Sequence, residues 1–339
     1  MARQETPGTM SAVAPGSTDV ETVPIPEPAG GAVLVAVESC GICGSDLHWY
    51  RGEGEPRTVC PGHEIVGRVH GTPPEDSGLH TGDRVAAEGI HSCGHCPACE
   101  RGDRQLCPEM EILGLHRPGG FAEFVAVHPR HLHPLAESIS PEAATLIEPL
   151  AVALHALRIA GGAKDQNVLV LGAGSIGLLL ASAARLDGAA QTAITARRPH
   201  QRSAAEILGI ERTHAPGYAP GGWDIVFETV GSGSGDTLNE ALRCVRPGGC
   251  VVLLGLFHEQ PRIDALALMS KEIRLHGANC YGHGTEASDF GRAAQLLVDY
   301  GDQLADALVT HTFSLADFPS ALATAAQKTS GSIKVRVRP

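Results

Sequence analysis

The run Val168-Leu169-Val170-Leu171-Gly172-Ala173-Gly174-Ser175-Ile176-Gly177 decides how this chain of 339 residues is read. Four apolar residues make a short buried strand, a G-x-G-x-x-G sequence follows at once, and residues 176–186 then have the apolar content of a helix. Such glycines are weak evidence alone; a strand before them and a helix after them are the context that confirms them. Gly172 permits a tight turn, Gly174 lets a pyrophosphate approach the backbone, and Gly177 lets helix and strand pack closely. Ser175 and Ile176 open the helix, where backbone amides meet phosphate charge. Residues 193–195, 225–227 and 251–254 repeat the signature of a buried parallel strand. The expected fold class is therefore α/β, with a doubly wound parallel sheet.

An NAD-binding fold usually has an acid about 20 residues past the glycines, bound to the adenosine ribose. Here that place holds Ala196-Arg197-Arg198. No carboxylate is there to repel a 2′-phosphate, and two guanidiniums can bind one through several donors. The expected cofactor is NADP, with NAD the alternative. Gly255 and Leu256, just past the strand at 251–254, are counted with the cofactor residues.

Before residue 149 the rhythm differs. Residues 20–28 are punctuated by Pro24, Pro26 and Pro28 and read as extended chain at a sheet edge. Residues 32–37, 65–69, 82–85 and 120–127 are short strand candidates between Gly and Pro, so residues 1–148 read as an irregular β domain. Residues 150–159 are apolar on nearly every side, which predicts a buried helix with Pro149 in its first turn. A helical stretch at 290–300 and a strand at 333–337 are expected to return to the first domain. The domains expected are thus 1–148 with 279–339, and 149–278; residues 1–9 read as a flexible extension, with Met10 as an alternative start.

Two sets of metal-binding side chains stand out. Cys93, Cys96, Cys99 and Cys107 lie in the loop 89–108, the spacing of a tetrahedral zinc with no open position, hence a structural site. The other set is dispersed: Cys43 in Cys43-Gly44-Ser45-Asp46-Leu47-His48, then His63-Glu64, then Glu148. Sulfur, nitrogen and oxygen donors together suit zinc. Three protein ligands would leave a fourth position for water or substrate, which marks a catalytic site. Glu64 and Glu148 both remain candidates for the oxygen.

Composition narrows the class. The chain is 43% apolar and 19% charged, ordinary for a globular protein. A net charge of −12 argues against a general nucleic-acid binder, whose affinity rests on phosphate neutralisation. No apolar run approaches the roughly 20 residues that span a bilayer, so no membrane partner is expected. Ten cysteines without a secretion signal favour metal in a reducing compartment, and a cytoplasmic location is expected.

Gly41-Ile42-Cys43-Gly44-Ser45-Asp46-Leu47-His48, Gly62-His63-Glu64, the four-cysteine loop, Glu148-Pro149-Leu150 and the Gly172 turn occur in one order. Together they resemble the zinc-dependent medium-chain dehydrogenase/reductase family over residues 11–339. Trp49-Tyr50 and Glu148-Pro149-Leu150 are similar to its polyol, sugar and threonine dehydrogenase branch. The resemblance implies a GroES-like catalytic domain, a Rossmann domain, one catalytic and one structural zinc per subunit, and a homodimer or homotetramer. It also implies that Cys43, rather than Cys40, is the ligand, because the ligand stands two residues before the hydroxyl.

The expected reaction is hydride transfer between NADP(H) and a secondary alcohol or ketone: a polyol, cyclitol, sugar or amino alcohol. Ser45 would accept the alcohol proton and His48 pass it to solvent, while Asp46 orients His63. Arg197-Arg198 departs from the NAD-dependent sorbitol dehydrogenases. Three other readings compete: an NAD-dependent sorbitol or threonine type of the same family, a zinc-free alkene reductase, and a non-catalytic zinc- and nucleotide-binding regulatory protein. Trp49, Tyr50, His116 and Tyr281 are candidates for the pocket wall, with His116 and Tyr281 read equally well as surface or packing residues, and the substrate itself is not legible.

Overall fold

The structure is a computed structural model that describes every residue except 1–7, 54, 55, 232, 258, 284–287 and 328. Its contacts divide the chain into two units, residues 1–148 with 294–302 and 309–339, and residues 149–293 with 303–308. The first change of unit falls at Glu148/Pro149. Residues 279–283, 288–293 and 303–308 fall in the second unit, whereas the sequence pattern assigned them to the first.

The first unit is built on one sheet. Its strand order is Val309–Ser314, Lys334–Arg338, Val33–Gly41, Glu64–His70, Arg84–Ala87, Leu132–Pro134, and Phe124–Val127 also pairs with Val33–Gly41. Only the first pair is parallel. Gly41 stands opposite Glu64 on one neighbour and Arg336 on the other, a register that matters below. Val35, Ile65, Val85, Phe121 and Phe318 fill the core, with the Phe121 and Phe318 rings tilted at a centroid distance of 4.6 Å.

Two expectations need correction here. Thr9, assigned to a flexible extension, pairs with Pro24 in a hairpin of Thr9–Val13 and Val20–Pro24, while residues 1–7 lie outside the described residues. The strand expected at 120–127 is confined to Phe124–Val127. Phe121 turns its backbone out of the ladder: its N–H donates to the Pro61 carbonyl and its carbonyl accepts from Val13.

The second unit is a parallel sheet ordered Arg212–His214, Gln191–Thr195, Asn167–Leu171, Trp223–Glu228, Val245–Leu253, Arg274–Gly277. The chain winds outward one way from Asn167–Leu171 and then returns to Trp223–Glu228 on its other side. The crevice at such a reversal is where open α/β sheets bind ligands. The Gly172 turn leaves the sheet at that point and leads into helix Ser175–Leu186. Helix Ile147–Ile159 starts three residues earlier than the apolar pattern suggests, so Glu148 lies in its first turn. Among the described residues no helix is long and apolar enough to cross a membrane.

Candidate active site and metal centres

The four-cysteine loop closes on itself. The sulfurs of Cys93, Cys96, Cys99 and Cys107 all lie within 4.8 Å of one another, and those of Cys93 and Cys99 are 3.9 Å apart. A tetrahedral zinc with Zn–S bonds of about 2.3 Å needs sulfurs about 3.8 Å apart, so the cluster fits the ion. Backbone amides support it: Cys93 N–H donates to Cys107 Sγ and Gly94 N–H to Cys99 Sγ, both at 3.4 Å. Burial would raise the Cys99 thiol, but the Gly94 amide, the Ser92 hydroxyl and the neighbouring thiols outweigh it and bring the pKa to about 6. A thiol that ionises readily is a better metal ligand.

The second set is looser. Cys43 caps the short helix Gly44–Tyr50, and its own N–H donates to Asp46 Oδ2 at 3.0 Å. The other Asp46 oxygen is 3.7 Å from Arg57, so this buried carboxylate reaches His63 through its charge and not through the hydrogen bond expected of it. His63 lies close enough to Cys43 for the charge on the sulfur to act on the imidazole. Burial disfavours its protonation, yet the charges of Cys43, Asp46 and Glu148 lift its pKa to about 10. Burial also raises Glu148, to about 7, against the opposing pull of His63.

Cys43, His63 and Glu148 therefore share one neighbourhood, although no three of the four candidate donors, Glu64 included, come within 4.8 Å of one another as the thiols do. The thiol, the imidazole and the carboxyl groups of this neighbourhood are donor types that suit a divalent cation, with the Lys334 ammonium beside them.

Lys334 is the member that sequence reasoning missed. Its ammonium donates to both oxygens of Glu64, at 2.6 and 2.7 Å, and to the Ile42 carbonyl at 3.1 Å. Lys334 opens the strand Lys334–Arg338, and Lys334 and Glu64 are both buried.

Ser45 and His48 are half-buried on the helix that Cys43 caps, and His48 Nδ1 is 3.0 Å from Glu53 Oε2. Trp49 packs against the first unit's core and Tyr50 is exposed. His116 is an exposed turn residue that accepts the Ile112 N–H, and Tyr281 is buried edge-on against Phe290 in the second unit.

The glycine turn has the geometry of a phosphate cradle. Gly172 has φ of 105°, and a Cβ there would lie 2.7 Å from Val230 and 2.9 Å from Thr229. A Cβ on Gly177 would run into the Gly172 carbonyl, whereas one on Gly174 would meet nothing within 4 Å. The helix N-terminus at Ser175 and Ile176 has no side-chain cap hydrogen bond. Ala196 is buried at the end of strand Gln191–Thr195, followed by exposed Arg197 and half-buried Arg198. Both arginine amides bond to Gln201 Oε1 at 3.1 Å, and among the described residues their guanidiniums enter no ion pair. Gly255 is tied to Glu228 through its backbone, and Leu256 beside it is exposed.

Residues 29–137 match the alcohol dehydrogenase GroES-like domain, and residues 175–299 match the zinc-binding dehydrogenase domain. The chain is 33% identical to L-galactonate-5-dehydrogenase of Escherichia coli strain K12, with 86% of this chain and 87% of that protein covered. It belongs to the zinc-dependent medium-chain dehydrogenase/reductase family, in the polyol and threonine dehydrogenase branch. L-threonine 3-dehydrogenase of Alteromonas mediterranea is 28% identical, covering 93% of this chain and 94% of the relative. A protein of Sinorhizobium meliloti 1021, described as a zinc-binding dehydrogenase and solved bound to NADP, superposes with a TM-score of 0.87 at 32% identity, covering 98% of this chain and all of that one. This medium-chain dehydrogenase is a zinc-dependent alcohol oxidoreductase using a nicotinamide cofactor. The reading as a non-catalytic regulatory protein is set aside by that membership.

Proposed function

We propose that the chain transfers hydride between NADP(H) and a secondary alcohol or ketone of the polyol, cyclitol, sugar or amino-alcohol class. The shared neighbourhood of Cys43, His63 and Glu148 carries the reading, and the acid-free Ala196-Arg197-Arg198 corner supports NADP. The relatives named for L-galactonate and L-threonine act on hydroxyl-bearing small molecules, which agrees with the substrate class. Cys43, His63 and one of Glu64 and Glu148 would hold the catalytic zinc, and the four thiols of the Cys93 loop a structural one. Bound zinc would lower the pKa of a substrate hydroxyl, and bound nicotinamide would accept the hydride.

The chain's own residues handle the proton. Ser45, two residues past Cys43, accepts it from the substrate hydroxyl, and His48 carries it toward solvent. Glu53 Oε2, 3.0 Å from His48 Nδ1, holds the ring in place. Arg197 and Arg198 bind the 2′-phosphate, and the amides at Ser175 and Ile176 bind the pyrophosphate. The protein acts as a homodimer or homotetramer in the cytoplasm.

The test is a panel of polyols, aminocyclitols, sugars and simple alcohols, assayed with each nicotinamide cofactor and paired with metal analysis. NADP-linked oxidation by protein holding two zinc ions per chain is expected. Activity only with NAD, or none with any substrate, would reject the proposal.

A further inference from the structure

We propose that Lys334 is a positioning residue that withholds Glu64 from the catalytic metal and leaves Glu148 as the oxygen donor. This rests on the reading that Cys43 and His63 hold a metal ion. The two carboxylates stand in opposite circumstances. Glu64 is held by both oxygens, at 2.6 and 2.7 Å from Lys334 Nζ, with both side chains buried. The third ammonium proton goes to the Ile42 carbonyl at 3.1 Å, so every Lys334 donor is used. Glu148 has no comparable partner: among the described residues no hydrogen bond or ion pair engages its carboxylate, although it lies close enough to feel the charges of His63 and Lys334.

The clamp belongs to the sheet. Strand Lys334–Arg338 pairs with Val33–Gly41, which pairs with Glu64–His70, and Gly41 is the residue between the two outer strands. A Cβ on Gly41 would run into Glu64 Oε2, so the missing side chain is the space the Glu64 carboxylate occupies. Three strands therefore hold the Lys334–Glu64 pair in place. For Glu64 to turn to a metal, two short charge-assisted hydrogen bonds would have to break in a buried setting and leave an ammonium unpaired, which is the costly case for buried ions.

Metal content per chain after dialysis against a weak chelator tests this. Wild type should keep two ions. Glu148→Gln should retain the catalytic ion at least tenfold more weakly, because Glu64 cannot replace the lost carboxylate. The double variant Glu148→Gln/Lys334→Met should regain that ion, since released Glu64 can now ligate; a merely structural role for Lys334 would not produce this rescue. Glu148→Gln protein that keeps both ions, or a folded double variant without rescue, would overturn the assignment. Should the double variant fail to fold, a crystal structure of zinc-loaded wild type decides: Glu64 on Lys334 supports the proposal, and Glu64 on zinc ends it. Wild type holding only the four-thiolate ion would remove the underlying reading, and the proposal with it.

Discussion

Asp289 Oδ2 lies 2.9 Å from Arg158 Nη2, joining the start of helix Asp289–Leu308 to the end of helix Ile147–Ile159 inside the second unit. His155 Nδ1, at 3.1 Å, and the Gly282 amide, at 2.9 Å, meet the same fully buried carboxylate. Burial alone would raise the Asp289 pKa; these hydrogen bonds overturn that and hold it at about 2. The unfolded chain binds a proton more readily than the folded one, so the contribution is complete above the ordinary carboxyl range and is lost as pH falls toward 2. Its size is on the order of 2 kcal/mol. Asp289→Ala should cost about 3 kcal/mol near neutral pH and flatten the fall in stability below about pH 4. Denaturant unfolding of both proteins at pH 3 and pH 7 checks this; an unchanged difference between the two pH values contradicts it.

Gly41→Ala forces a methyl group onto the Glu64 carboxylate. Overpacking of this kind costs about 1–3 kcal/mol. A lower midpoint in denaturant, without a change in the slope, is the expected result. Wild-type stability in this variant would mean that the three-strand register is looser than it looks.

Cys107→Ser removes one of the four clustered thiols and should lower the metal content by one ion per chain. The loop around it should then become sensitive to proteolysis, because structural zinc contributes folding energy directly. Limited digestion followed by mass mapping reads this out. Cleavage no faster than in wild type would deny the cluster its structural role.

Arg197→Glu/Arg198→Glu should weaken NADP binding by about 100-fold, since each lost charge-assisted hydrogen bond is worth about 1.5–3 kcal/mol and part of that is regained from solvent. NAD binding should change by less than about threefold, because the 2′-hydroxyl carries no charge to repel. Isothermal titration of the two cofactors separates the cases. Equal losses for both would point to a damaged fold rather than a lost phosphate contact.

Much of this protein was legible in one dimension wherever chemistry depends on near neighbours. Gly172, Gly174 and Gly177 announce a strand-to-helix turn because each role is set within six residues of backbone. The four thiols do the same, since the last lies 14 positions after the first and a short loop can bring them together. Other features were not legible. The pattern at 120–127 looked like a continuous strand, but Phe121 leaves the ladder for the core. For His116 and Tyr281 the sequence left a pocket wall and a surface or packing role equally open, and the structure gives the first a turn position and the second a packing position.

What the sequence determined by itself, then, was the family, the dinucleotide turn and the thiol cluster, because covalent spacing limits what a short segment can do. What only the tertiary structure decided was the setting of each carboxylate. Lys334 reaches Glu64 across 270 positions of chain, through the pairing of three strands around a residue with no side chain. Contacts of that kind depend on strand register, a property that no short stretch of sequence carries.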